Sequence, residues 1–317
     1  MMKIERVLFF GTAPIAVPAL QALHADCGSE VVAVCTQPDR PKGRKRVLSP
    51  SPVKSSALEL GLPIVDVERI GDAEEQLARL KPDLAIVFAY GQYLPPRIFD
   101  LPACGSINFH PSLLPLYRGA SPIQSALADG HTETGLSVIR VGKRMDAGDL
   151  MKQERISVTS EDTAETLSER FARMAGEWVP DLLRHFREDL VLWTPQDENL
   201  ATECGRLRKE DGDMDWSLPA QTLFNRIRAY QPWPGASFQD ETGRVIKVQS
   251  AVVRDETGVP GTVVSMDQDG PVIACGVGGL QLLHVQPPGK KSMEGSAFLH
   301  GHNWKVGVQL PVSFERT

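Results

Sequence analysis

Cysteine is scarce, and nothing in its placement suggests pairing. Five cysteines (Cys27, Cys35, Cys104, Cys204, Cys275) are scattered through 317 residues without a C-x-x-C. An odd, unpatterned set argues against a disulfide framework and a cysteine zinc site, and it fits a reducing compartment, so a cytoplasmic protein is expected. Long apolar runs are missing too: none approaches the about 18 residues of a membrane span, and no membrane partner is expected. Near the start, Lys3 and Arg6 precede the apolar run Val7–Phe10. Gly11-Thr12 and two prolines break that run too early for a signal peptide, and Glu5 sits among the basic residues, so the segment reads as a first strand and turn. The absence of G-x-G-x-x-G argues against a nicotinamide dinucleotide. Excess positive charge is lacking as well. With a net charge of −6 the chain does not bind nucleic acid through bulk charge, and any RNA contact must come from a local basic patch. The sequence has no internal repeats and no low-complexity tract.

What remains is a chain long enough for two domains, with 42% hydrophobic residues to build their cores. Short apolar, β-branched runs predict strands at Val7–Phe10, Val31–Cys35, Leu84–Ala89, Ser106–His110 and Leu136–Val141. Helical patterns lie between them at Ala16–His24, Pro52–Leu60, Ala73–Leu80 and Ser121–Asp129. The alternation predicts an α/β domain with a mostly parallel Rossmann-like sheet and helices on both faces, spanning residues 1–190. An amphipathic helix over Glu165–Phe186 closes it, with Pro180 expected to kink or interrupt the helix. Residues 191–208 lose periodicity and read as a linker. From 209 to 317 short strand-like runs alternate with Gly and Pro turns, after a short helix that Ser217 could cap. A small C-terminal β-barrel of the oligonucleotide-binding (OB) type is expected there.

Ligands bind such sheets beyond the carboxyl ends of the strands. The Ser106–His110 strand ends in Asn108-Phe-His110, and period-two alternation puts both polar side chains on one side. Next comes Pro111-Ser112-Leu113-Leu114-Pro115, too proline-bounded for a helix, then a strand and Met145-Asp146-Ala147-Gly148-Asp149. Taken singly, each piece has a plain structural reading: a satisfied polar residue at a strand end, and a turn. In this order they point to one site, because an amide and an imidazole can both donate to one oxygen and an aspartate can orient the imidazole. Ser112 lacks the G-x-S-x-G elbow of a serine nucleophile. His300-Gly-His302 has no third ligand nearby, and the two histidines read as surface polar residues, so no metal is expected. Trp216, Trp233 and Trp304 read as packing of the second domain.

Asn108, His110 and Asp146, with Ser112–Pro115 between, resemble the active site of the folate-dependent formyltransferases. Further segments resemble the methionyl-tRNA formyltransferase family: Thr36–Arg44 followed by Pro50–Lys54, Tyr117–Gln124, Asp215–Ser217, Arg228–Pro234 and Gln286–Lys291. The resemblance covers almost the whole chain. In one departure, basic Lys143-Arg144 stand upstream of Asp146 where the family carries an acidic residue.

The resemblance implies a formyl transfer from 10-formyltetrahydrofolate to the amine of charged initiator tRNA, methionyl-tRNA. Asn108, His110 and Asp146 would be catalytic, and Ser112, Leu113, Leu114 and Pro115 would contact the folate donor. Six basic residues lie between Arg40 and Lys54 without an acidic one: Arg40, Lys42, Arg44, Lys45, Arg46 and Lys54. The first five are the candidate tRNA contacts, with Arg44 entering the acceptor end and Lys290 and Lys291 holding the backbone. A monomer is expected. Two other readings stay open: a formyltransferase acting on a nucleotide-sugar amine or a small ribonucleotide, and an RNA-binding module with a degenerate catalytic domain.

Overall fold

A computed structural model describes residues 4–43, 46–302 and 304–314 of the chain. Strand β1 (Arg6–Gly11) is buried from Val7 onward, as a central parallel strand must be when both faces are covered. In chain order follow β2 (Glu30–Cys35), a small hairpin of β3 (Arg40–Lys42) and β4 (Val47–Ser49), β5 (Ile64–Val65), β6 (Leu84–Phe88) and β7 (Ser106–His110). After them come β8 (Arg118–Gly119), β9 (Glu133–Arg140), β10 (Leu150–Ser157) and β11 (Glu203–Cys204). The main sheet has the order β10-β9-β7-β6-β1-β2-β5. Strands β5, β2, β1, β6 and β7 pair in parallel. The two strands at the other edge, β9 and β10, pair antiparallel.

Helices α1 (Val17–Ala25), α2 (Pro52–Glu59), α3 (Glu74–Arg79), α4 (Pro96–Phe99), α5 (Pro122–Ala128) and α6 (Ala164–Arg187) connect or flank these strands. Leu8, Phe10, Ala85 and Val87 share one core with Leu77 of α3 and with Ile98 and Phe99 of α4. Their neighbours in sequence, Val7, Phe9, Ile86 and Phe88, alternate to the other face and are equally buried. Helix α6 runs unbroken through Pro180, which was expected to kink or interrupt it. Its apolar stripe, Leu167, Phe171, Trp178, Leu182 and Phe186, is buried.

The fold groups into two units. The first takes in the chain up to Pro122, Glu133–Ser157 and Leu167–Cys204. The second takes in Ile123–Thr132, Val158–Thr166 and the chain from Gly205 onward. Residues 191–204, without regular periodicity, are tied into the first unit by the β8–β11 pairing and a Leu150–Thr194 bridge.

In the second unit, α7 (Ala220–Ala229) precedes β12 (Ala236–Gln239), β13 (Val245–Arg254), β14 (Val263–Met266), β15 (Pro271–Ala274), β16 (Gly279–Gln286), β17 (Met293–Glu294) and α8 (Gly295–Gly301). The strands form an antiparallel sheet in the order β12-β13-β16-β15-β14, with β17 on β16. Trp216, Phe238, Phe298 and Trp304 anchor its core. Trp233, expected among the packing tryptophans, is instead 55% exposed. Ser217 does not cap α7. Its hydroxyl and N–H are both used on Asp215, and Pro219 stands at the cap position. His302 is buried and stacks on Phe298, against the expectation of a surface residue, while His300 bonds the Ser296 carbonyl. Among the described residues no helix is long and apolar enough to cross a membrane, and no cluster of His, Cys, Asp or Glu could hold a metal ion.

Candidate active site

Strand β7 carries Asn108 and His110 to its end. Asn108 is registered between Val87 of β6 and Ile139 of β9, and His110 opposite Ser137. The antiparallel direction of β9 has a consequence that the strand pattern alone did not show. Arg140, the last residue of β9, pairs with Ile107, so β9 ends beside the start of β7 and not beside its carboxyl end. The turn over residues 141–149 must fold back to bring Asp146 to the Asn-x-His pair.

It does so at close range. Nδ2 of Asn108 donates to Oδ1 of Asp146 at 3.3 Å, and Nδ1 of His110 lies 3.6 Å from Oδ2. The other imidazole nitrogen, Nε2, is 2.8 Å from the carbonyl of Tyr117. A carbonyl only accepts, so Nε2 carries a proton and donates it there. Nδ1 is then the nitrogen that faces Asp146. The His110 side chain is 4% exposed and that of Asp146 14%, so the group lies in a largely dry setting.

The backbone is bent to achieve this. Asp146 (φ 50°) and Tyr117 (φ 58°) both hold left-handed conformations, uncommon for residues other than glycine and concentrated at functional sites. A side chain at Gly148 would meet the Arg140 carbonyl at 1.8 Å, so only glycine lets the turn tuck against β9. The turn is then gripped from outside. Nε2 of Gln196 donates to the carbonyls of Asp146 (2.8 Å) and Gly148 (2.7 Å). Gln196 Oε1 accepts from Arg118 Nη2 at 2.8 Å and Nε at 3.1 Å, and the same guanidinium reaches Glu198 at 3.1 Å. Arg144, the basic departure upstream of Asp146, joins Glu198 from the other side at 2.5 Å. The guanidinium of Arg118, and then that of Arg144, pull the Glu198 carboxyl down to about 2.

The Ser112–Pro115 loop is anchored from two strands. The Ser112 carbonyl accepts from Ser137 Oγ at 2.6 Å, and the Leu114 carbonyl accepts from Gln153 Nε2 at 2.9 Å. Ser112 is fully buried, with its hydroxyl donating to the Leu116 carbonyl, and Leu114 is buried too. Leu113 and Pro115 keep part of their surface open.

The basic segment, expected as an irregular loop, carries the β3–β4 hairpin. Arg40 pairs with Glu68 at 3.1 Å and stays mostly exposed, and Arg46 is exposed at the hairpin turn. Lys42 contributes its backbone to β3, and Arg44 and Lys45 lie outside the described residues. Lys54 belongs to a different arrangement: its ammonium is held at 2.6 Å by both Asp39 and Asp66, which keep it above its ordinary range. In the second unit, Lys290 and Lys291 are exposed on the turn between β16 and β17.

Sequence reasoning thus pointed to the three polar residues and missed what holds them: Gln196, Arg118 and the Tyr117 carbonyl. Gln196 carries no signal in its own neighbourhood, and Arg118 lies in the family-like Tyr117–Gln124 stretch without a role that the stretch itself reveals.

Two family models match the chain. The formyl transferase model matches residues 5–183, and that of the formyl transferase C-terminal domain matches residues 206–303. A methionyl-tRNA formyltransferase from Moorella thermoacetica is 42% identical over 96% of this chain and 99% of its own length. The chain belongs to the methionyl-tRNA formyltransferase family. Another member, from Acidithiobacillus ferrooxidans, is 42% identical over 98% of this chain and 100% of its own. The formyltransferase fold extends to far less similar proteins. The solved N-formyltransferase from Helicobacter canadensis, in complex with folinic acid and dTDP-3-aminofucose, superposes with a TM-score of 0.67 at 14% identity, over 90% of this chain and 100% of that one.

Proposed function

We propose that this enzyme transfers the formyl group of 10-formyltetrahydrofolate to the free α-amino group of methionyl-initiator tRNA, acting as a cytoplasmic monomer in translation initiation. The observation that carries the reading is the meeting of Asn108, His110 and Asp146 within hydrogen-bonding or ion-pairing reach. Relatives named for this activity, similar over nearly the whole chain, support it.

The reaction is acyl transfer to nitrogen. An α-amino group titrates at about 7.7–8.0, so a usable fraction is neutral near pH 7. That nitrogen attacks the formyl carbon, and the carbonyl electron pair moves onto the formyl oxygen. Collapse of the tetrahedral intermediate breaks the bond from carbon to N10 of the folate. One proton leaves the amine and one is gained at N10, so the protons balance.

The charge on the formyl oxygen is what the site would stabilise. The Asn108 amide is one donor. His110 is the other, and its geometry restricts how: with Nε2–H spent on Tyr117, donation to the substrate comes from Nδ1 and requires the doubly protonated ring. Asp146 then serves as counter-charge to the ring and as acceptor of the proton leaving the amine, directly or through a water. No covalent enzyme intermediate is required. The open sides of Leu113 and Pro115 would contact the folate, while buried Ser112 and Leu114 would shape the loop from within. The basic residues Arg40, Lys42, Arg44, Lys45 and Arg46 would meet the unpaired acceptor end of the tRNA, with Lys290 and Lys291 on its backbone.

Incubating the purified protein with 10-formyltetrahydrofolate and a panel of amine acceptors tests this. Formylation of charged initiator tRNA, and not of nucleotide-sugar amines or small ribonucleotides, is expected. Formylation of a sugar amine, or RNA binding without turnover, would refute the proposal.

A further inference from the structure

The carboxylate of Asp146 sits on a turn that needs external support. Its residues Lys143, Arg144 and Met145 are exposed, its course reverses relative to β9, and Asp146 itself is in the left-handed region. One side chain from far along the chain spans the base of this turn. The amide nitrogen of Gln196 gives its two hydrogens to the carbonyls of Asp146 and Gly148.

The orientation of that amide is fixed by chemistry. On one side it faces two carbonyl oxygens, which accept only, and on the other the Arg118 guanidinium, which donates only. Reversing it would set oxygen against two oxygens and NH2 against a cation. Gln196 is therefore a two-sided adaptor that only a primary amide can supply.

The adaptor closes a ring. Arg118 lies between Tyr117, whose carbonyl accepts the hydrogen bond from His110 Nε2, and Gly119, whose N–H donates to Asp146 Oδ2 at 2.9 Å. Gln196 links that same segment to the backbone of Asp146. The 117–119 segment thus holds His110 and the carboxylate directly, and holds the turn through Gln196. Arg118 is itself fixed, 7% exposed and paired with Glu198.

We infer that Gln196 is a positioning residue: it sets the backbone of the Asp146 turn so that the carboxylate faces His110 Nδ1 and Asn108. The inference rests on the reading of Asp146 as the working carboxylate. Both ends of the Gln196 amide are taken up within the protein, so its loss should slow chemistry and leave substrate binding alone.

Two substitutions separate this from a role in folding. Gln196→Glu keeps the size and the acceptor toward Arg118 but sets a carboxylate against two carbonyls. Gln196→Met keeps the length and removes both functions. For each, kcat and KM for donor and charged tRNA are measured beside the melting transition, with Asp146→Asn in parallel. Losing two hydrogen bonds on the turn should lower kcat on the order of tenfold in both variants, with both KM values near parental and melting preserved. Carried into Asp146→Asn, Gln196→Met should add little further loss. Unchanged kcat, a loss confined to KM, an undiminished further loss in the Asp146→Asn background, or collapse of melting in both variants would overturn the inference. The underlying reading fails separately: full activity of Asp146→Asn would remove the catalytic role of Asp146, whatever the Gln196 variants do.

Discussion

The backbone N–H of Gly119 donates to Oδ2 of Asp146 at 2.9 Å, the oxygen that also faces His110. Gly119 can do this only as glycine. Its φ is +124°, and a Cβ there would stand 2.1 Å from the Cys204 carbonyl. Gly119→Ala should therefore displace the β8–β11 pair and tilt the carboxylate. A stability loss of about 1–3 kcal/mol is expected from strain and overpacking, together with reduced kcat. Urea unfolding beside steady-state kinetics measures both, and parental values for both would show that the close approach has no consequence.

His110→Ala removes the Nδ1 donor and leaves the loop contacts of Ser112–Pro115 in place. Losing one donor to a developing oxyanion typically costs roughly 10²–10³ in rate. Turnover should fall by at least that much while folate and tRNA affinities stay within a few-fold. Substantial residual kcat would remove the ring from the chemistry.

Much of this was legible in the sequence, for identifiable reasons. Central parallel strands are buried on both faces, so Val7–Phe10 and Leu84–Phe88 stand out as unbroken apolar runs. Asn108 and His110 were legible because residues two apart on a strand share a side. Strand β10 was not, because Leu150–Ser157 is an exposed, charged strand with no apolar alternation. The reversal of β9 was invisible because strand direction depends on where the chain returns, which composition does not encode. Lys54 reads in the sequence as one more loop cation, whereas in the fold Asp39 and Asp66 both hold its ammonium. Gln196 is a lone amide in an irregular stretch, and its role exists only once Arg118 and the Asp146 turn surround it.

The basic segment from Arg40 to Arg46 makes a salt-dependent prediction. Arg44→Ala should lower kcat/KM for charged tRNA while chemistry at saturating tRNA is kept. If the side chain neutralises one phosphate of single-stranded RNA, the slope of log affinity against log salt should become shallower by about 0.7. Parental efficiency and slope would move the RNA contact elsewhere.

In the second unit, Asp240 is fully buried at the β12–β13 turn. Burial pushes its carboxyl up, but hydrogen bonds from the Thr242 hydroxyl, the Arg244 and Thr242 backbone N–H groups and the Arg244 side chain outweigh it and hold the group below its ordinary value. As pH falls, the unfolded chain therefore takes up this proton first. The stability Asp240 contributes is present above the ordinary carboxylate value of about 3.9 and is lost as pH falls through the lower folded value. Asp240→Asn should cost about 1–3 kcal/mol near neutrality and show a flatter acid limb in urea midpoints measured against pH. Parallel curves for the two proteins would contradict this.

The central claim is that Asn108, His110 and Asp146 act together on one transferred carbon. A crystal structure with a formyl-folate analogue tests it most directly. The account predicts the formyl oxygen within hydrogen-bonding distance of Asn108 Nδ2 and His110 Nδ1, with the Asp146 carboxylate beside the approach path of the amine. A formyl group bound with its oxygen turned away from both donors would contradict it.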